Sequence, residues 1–172
     1  MSLIRHPCQF RVLTAQELLA WAEVPTAVAG DAQNRSRCMA AAIKPIKDGM
    51  RMVGQARTVQ AMVGDNSAAH AALAIAQRGE VLVIDGCGHV DTALWGGIMT
   101  AAALERGLGG VVIDGAIRDV AELRRTSLPM FARGAVPRGP HKGFGGAIDG
   151  PVSVGSVAIH PGDLILGDDD GV

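Results

Sequence analysis

Apolar residues in this chain fall into short runs punctuated by glycine and proline. Val81–Ile84 is an unbroken aliphatic run bounded by Gly79 and Gly86, the pattern of a strand buried on both faces. Val111–Ile113 repeats it after Gly110, and Met130–Ala132 follows Pro129. Helical segments separate these runs. Asp65-Asn66-Ser67 can cap a helix over 67–78. A second covers 92–106 and stops at Gly107, and a short one covers 119–125. Met50–Val63 partly alternates and predicts one long strand, or two joined by a bulge at Gly54. Upstream, Thr14-Ala-Gln-Glu17 fits a capping box for a helix over 14–23. Pro25 ends that helix, and another covers 26–33. Residues 38–43 predict a strand. Gly134–Gly150, which holds Arg138, His141 and Lys142, predicts a loop. Residues 151–159 and 163–166 predict strands joined by a turn at His160-Pro161-Gly162-Asp163.

Alternating strands and helices in the middle of the chain imply a parallel sheet with helices packed on it. The β-rich flanks at 50–63 and 151–166 imply a second sheet layer. The expected fold class is therefore α/β, a compact domain with two sheet layers and outer helices. A chain of 172 residues suits one domain, and neither a linker nor an internal repeat divides it.

Composition narrows the function. Hydrophobic residues make up 48% but aromatics only 3%, with no Tyr, so the core is aliphatic. The lack of rings argues against stacking on single-stranded nucleic acid. A net charge of -1 offers no basic footprint for nucleic acid of any kind. No apolar run approaches the roughly 20 residues of a membrane span. The start MSLIRHPCQF lacks the apolar stretch of a secretory leader. Cys8, Cys38 and Cys87 are odd in number and scattered, which predicts free thiols in a reducing compartment. These features together predict a cytoplasmic protein.

The chemistry concentrates in residues 96–119, GGIMTAAALERGLGGVVIDGAIRD. A helix start with free amides over Gly96, Gly97, Ile98 and Met99 can hold an anion. Arg118 presents a rigid fork of donors for a carboxylate or an enolate oxygen. Asp119 is a hard oxygen ligand suited to Mg²⁺. Such a set serves a small 2-oxo acid and a divalent cation. Other candidates are weaker. Gly86-Cys-Gly88 lacks the third glycine of a dinucleotide fingerprint. Cys87 and His89 have no second ligand pair for zinc. Lys142 lies in a hydrophilic loop that does not favour a Schiff-base amine. Asp85 reads as a cleft or turn residue, Asp65 and Asn66 as a helix cap, and Asp168–Asp170 as a solvated turn.

The motif Gly96-x-x-Met99, then Gly107, Gly110-Val-Val-Ile-Asp-Gly115 and Arg118-Asp119, resembles the family of 4-hydroxy-4-methyl-2-oxoglutarate aldolase and the regulator of ribonuclease E activity A. The ending His160-Pro161-Gly162-Asp163 with Asp-Asp-Gly-Val also fits, and the likeness runs from about residue 25 to 172. It implies a swivelling β/β/α-type domain over 1–172, with 1–24 as an N-terminal helical extension. It implies trimers or hexamers with active sites between subunits. It also implies a Mg²⁺- or Mn²⁺-dependent aldolase that cleaves 4-hydroxy-2-oxo acids to pyruvate and decarboxylates oxaloacetate. In that reading Arg118 and Asp119 are catalytic and Asp119 holds the metal. Gly96, Gly97, Ile98, Met99 and Arg118 bind substrate. The alternative is a non-catalytic regulator that binds a large ribonuclease. A methyltransferase label used in the family finds no glycine-rich cofactor loop here. Two departures stand out. Many aldolase members carry an acid where this chain has Gly97, and the family usually continues past the Asp-Asp-Gly turn into a strand and helix.

Overall fold

The computed structural model describes residues 3–172; Met1 and Ser2, the start of the expected extension, lie outside the described residues. In chain order the elements are β1 (Leu3–Arg5), α1 (Ala15–Ala22), α2 (Thr26–Ala32), β2 (Lys44–Pro45), β3 (Met52–Ala61), α3 (Ser67–Ile75), β4 (Val81–Asp85), β5 (Ala93–Trp95) and α4 (Gly97–Arg106), followed by β6 (Gly110–Ile117), α5 (Val120–Leu123), β7 (Met130–Ala135), β8 (Gly146–Ile148), β9 (Val152–Val154), β10 (Val157–Ile159) and β11 (Leu164–Gly167).

The aliphatic runs set the architecture because they are buried on both faces. Leu82, Ile84, Val111 and Ile113 pack with Ala68, Ala72, Met99 and Ala103 of α3 and α4. Their neighbours Val81, Val83 and Val112 point the other way, against Phe131, Val152, Val154 and Ile159. Alternate side chains of one parallel sheet thus feed two cores, as expected of strands covered on both sides. The main sheet runs β1-β8-β3-β4-β6-β7-β2, with β11 added to β3 and β5 to β6. The pairings β3–β4, β4–β6 and β6–β7 are parallel. A separate two-stranded sheet joins β9 and β10. The fold is α/β, with two sheets and helices outside.

Several elements differ from the sequence expectation. Residues 50–63 do not belong to a second layer. β3 lies inside the main sheet and changes partner along its length. Met52–Gln55 pair antiparallel with β11, and Ala56–Gln60 pair parallel with β4. The hand-over between Gln55 and Ala56 replaces the expected bulge at Gly54. Residues 38–43 form turns, not a strand. The alanines there have little strand preference. Met39 and Ala40 instead donate their amides to Val172 and Gly155 carbonyls at 2.9 and 2.8 Å. The helix expected from 92 begins at Gly97, because Ala93–Trp95 pair as β5 beside β6. The 134–150 segment is not all loop: β7 runs to Ala135, and β8 lies between β1 and β3. The N-terminal extension contributes β1 as well as a helix, whose Thr14–Glu17 capping box forms as expected. Asp168 is more than a solvated turn. Its carboxylate accepts from the Thr26 amide at 2.8 Å and hydroxyl at 2.5 Å, at the start of α2.

Two polar clusters hold the segments around the strand ends. Arg57 is 8% exposed. It donates to Glu80 at 2.6 and 2.9 Å and to Asp149 at 2.6 Å. Arg5 of β1 donates to the other Asp149 oxygen at 3.0 Å. Buried Asp65 accepts from the Ser67 amide and hydroxyl, and from the amides of Gly143 at 2.6 Å and Phe144 at 3.1 Å. It thereby pins the segment that carries Lys142. Burial favours the neutral acid, but the bonds from Ser67, Phe144 and Gly143 outweigh it and hold the Asp65 carboxyl below its usual range.

Arg57→Ala removes the shared partner of two shielded carboxylates and should cost about 3–5 kcal/mol, read as a fall in the urea unfolding midpoint. Because the folded-state pKa of Asp65 is depressed, its contribution is full above the ordinary carboxylate pKa and fades as pH falls through the lower folded value. Amide exchange at Gly143 and Phe144 should therefore accelerate selectively in acid, and Asp65→Asn should show that faster exchange already at neutral pH.

Candidate functional site

β6 ends at Ile117, and the next two residues are the Arg118-Asp119 pair. Ligands of open parallel sheets gather beyond such strand ends. The Arg118 amide donates to the Trp95 carbonyl at 2.9 Å, which joins this turn to the end of β5. Asp119 takes φ 62°, a left-handed conformation that costs a non-glycine residue about 1 kcal/mol or more. That turn aims its carboxylate back at the start of α4. Asp119 Oδ2 accepts from the Gly97 amide at 2.9 Å and lies 3.7 Å from Arg118 Nε.

Gly96 is required by this approach. Its φ of -166° is ordinary extended backbone. A Cβ there, however, would stand 2.6 Å from Asp119 Oδ2 and 3.1–3.2 Å from Arg118 Cγ and Nε. Behind it, Trp95 Nε1 donates to Thr100 Oγ1 at 2.8 Å, and that hydroxyl donates to the Gly96 carbonyl at 3.1 Å. Arg118 Nη1 would lie 2.6 Å from a Cβ at Gly139, so the guanidinium also packs on the 134–150 segment.

A small cavity of about 30 Å³ opens beside this turn. Gly96, Gly97, Ile98, Met99 and Arg118 all line it, as the sequence suggested, but Asp119 does not. Asp119 joins the cavity only through the Gly97 amide and Arg118. Gly97 therefore spends its amide on Asp119. The amides of Ile98 and Met99, in the first turn of α4, have no carbonyl one turn earlier to bond, the kind of free donor that suits an anion.

The opposite wall comes from α3 and the pinned segment: Asn66, His70 and Lys142. Asn66 is 4% exposed. Its Nδ2 donates to the Leu94 carbonyl at 3.0 Å, which settles the amide's orientation, and Oδ1 has no partner. Buried acceptors without a donor are rare in folded proteins. Sequence reasoning missed Asn66 by reading it as a cap. It makes no side-chain cap bond, and Asp65 serves Ser67 instead. The only sequence signal was redundancy: Asp65-Asn66 offers more capping groups than one helix start needs. Burial, and secondarily Lys142, lower the pKa of His70 and favour its neutral imidazole.

The remaining candidates resolve simply. Asp85 Oδ1 accepts from the Cys87 amide at 2.9 Å, a turn role. Among the described residues no three His, Cys, Asp or Glu groups gather to hold a metal, and the three cysteines are free. Asp119 nevertheless retains a carboxylate oxygen outside its bond to Gly97. One carboxylate suits a cation that keeps most of its waters, such as Mg²⁺, but not a fully protein-liganded metal.

Known proteins resemble this chain in sequence and fold. A Thermus thermophilus protein named 4-hydroxy-4-methyl-2-oxoglutarate aldolase is 38% identical, covering 71% of this chain and 74% of that one. A Halalkalibacterium halodurans protein carries the same name in provisional form and is 40% identical over 87% of this chain and 71% of its own. The solved structure of the RNA-processing inhibitor RraA from Thermus thermophilus superposes with a TM-score of 0.79 at 34% identity, covering 87% of this chain and 90% of that chain. The Aldolase/RraA pattern matches residues 26–172, which take in the α4 turn, Arg118-Asp119 and the unpaired Asn66, and the chain belongs to the RraA-like family.

Proposed function

We propose that this protein is a divalent-cation-dependent aldolase that cleaves 4-hydroxy-2-oxo acids, such as 4-hydroxy-4-methyl-2-oxoglutarate, to pyruvate and also decarboxylates oxaloacetate. The observation that carries the reading is the convergence of Arg118 and the first turn of α4, Gly97 to Met99, on one cavity, with Asp119 bonded to the Gly97 amide beside it. Arg118 and the α4 amides hold the 2-oxo acid end. Mg²⁺ or Mn²⁺ held at Asp119 would polarise the 2-oxo group as a Lewis acid. Arg118 stabilises the negative charge that grows on the enolate oxygen as the bond breaks.

The cavity of about 30 Å³ is too shallow to enclose such a substrate, and Ile98 on its lining is 76% exposed. A second copy of the chain would complete the enclosure. The reading therefore includes a homotrimer or homohexamer with sites between subunits. The free thiols suit the cytoplasm. Among the described residues no helix is long and apolar enough to cross a membrane. The structural likeness to an RNA-processing inhibitor supports a second reading, a regulator that binds a ribonuclease. The nearly balanced charge, 16 basic against 17 acidic residues, gives such a docking surface little bias.

Pyruvate release from 4-hydroxy-4-methyl-2-oxoglutarate should require added Mg²⁺ or Mn²⁺ and stop with chelator. Arg118→Lys should lower kcat about 100- to 1000-fold, the usual loss for one oxyanion donor. Asp119→Ala should remove the metal response, and Gly96→Ala should impair turnover by displacing both side chains while the protein stays folded. A wild-type chain that releases no pyruvate with either metal, yet binds a ribonuclease, would decide for the regulator.

A further inference from the structure

Aldol cleavage needs a group to take the hydroxyl proton, and the groups already described are committed elsewhere. Asp119 is tied to Arg118 and to the Gly97 amide. Asn66 presents an amide oxygen, which accepts a hydrogen bond but does not take a proton. His70 is a weakened base, desolvated and close to Lys142.

Another carboxylate, from α5, lies outside the cavity lining but against Gly97, which belongs to it. A Cβ placed on Gly97 would lie 2.9 and 3.0 Å from Glu122 Oε2 and Oε1. The Glu122 carboxylate therefore fills the space that a side chain at position 97 would occupy, directly over a residue that lines the cavity. The α5 turn brings it there: the Glu122 amide donates to the Asp119 carbonyl at 2.9 Å, so one turn presents Asp119 and Glu122 to the same glycine. Arg118 pairs with Asp119, and no cation of the described residues pairs with Glu122.

We propose that Glu122 is the proton acceptor for the substrate hydroxyl, reaching the reacting atoms across the bare backbone of Gly97. This rests on the aldolase reading above. The step balances without an outside reagent. Glu122 takes the C4 hydroxyl proton, and the O–H electron pair becomes the C4 carbonyl. The C3–C4 bond breaks, and its pair forms the enolate at C2–C3, whose oxygen faces Arg118. The Glu122 carboxylic acid then returns its proton to C3, giving the 2-oxo acid and restoring the carboxylate. Oxaloacetate has no such proton to lose. Carbon dioxide departs directly, and water protonates the enolate. Glu122 thus serves one reaction of this site and not the other.

Glu122 is exposed, so its replacement should leave the fold intact, and a melting curve checks this. Both reactions are measured in the Mg²⁺-loaded protein. Glu122→Gln should lower kcat for 4-hydroxy-4-methyl-2-oxoglutarate cleavage about 100-fold or more, the usual worth of a general base. Oxaloacetate decarboxylation should stay within a few-fold of wild type. Adding Gly97→Asp to Glu122→Ala should restore at least ten-fold of the lost cleavage, because it puts a carboxylate back into the vacated space. The proposal is overturned if Glu122→Gln cleaves like the wild type, if it loses both reactions equally, or if Gly97→Asp restores nothing. A wild-type protein inert toward both substrates would overturn the aldolase reading itself, and the proposal with it.

Discussion

The functional geometry depends on one close approach. Asp119 Oδ2 meets the Gly97 amide at 2.9 Å, over a residue at 96 that has no side chain to obstruct it. That contact fastens the end of β6 to the start of α4. It also consumes the Gly97 amide, so that in the proposed reading anion binding falls to the amides of Ile98 and Met99. The left-handed backbone of Asp119 fits this view, since strain at one residue persists only where its surroundings enforce it. Around the contact the design is economical: a guanidinium, a carboxylate and a helix start share one turn.

The rest of the fold exists to hold that turn and its opposing wall. The two aliphatic cores fix β4 and β6, whose ends carry the turn. Alanines of α3 pack fully buried against the sheet and bring Asn66 and His70 across from Arg118. Asp65 pins the Lys142 segment with backbone amides, so this wall is set by hydrogen bonds and not by packing alone. The only unsatisfied buried side-chain atom among the described residues is Oδ1 of Asn66, a residue of the wall opposite Arg118.

What could be read from the chain itself follows from which signals are local. β4, β6 and β7 were legible because each is an apolar run buried on both faces. The Thr14–Glu17 box was legible because its two partners lie three residues apart. β1 and β8 were not: they are three residues long and exist through pairing between Leu3–Arg5 and Gly146–Ile148. β3 misled because alternation marks a strand without naming its neighbours. The alanines near 40 misled because hydrophobicity without branching does not make a strand. Within the site, Gly96–Met99, Arg118 and Asp119 were visible as a linear motif. Asn66 became visible only once its oxygen was seen without a donor, and Glu122 only once it was seen above Gly97. Both depend on contacts between elements distant in sequence.

The central claim is that these two walls form a binding site for a chelated 2-oxo acid. A crystal structure of the assembled protein with Mg²⁺ and oxalate tests it most directly. Oxalate should be bound by Arg118 and the Ile98 and Met99 amides, with the cation between it and Asp119. Oxalate and cation found elsewhere, or Arg118 and Asp119 facing away from the bound pair, would contradict it.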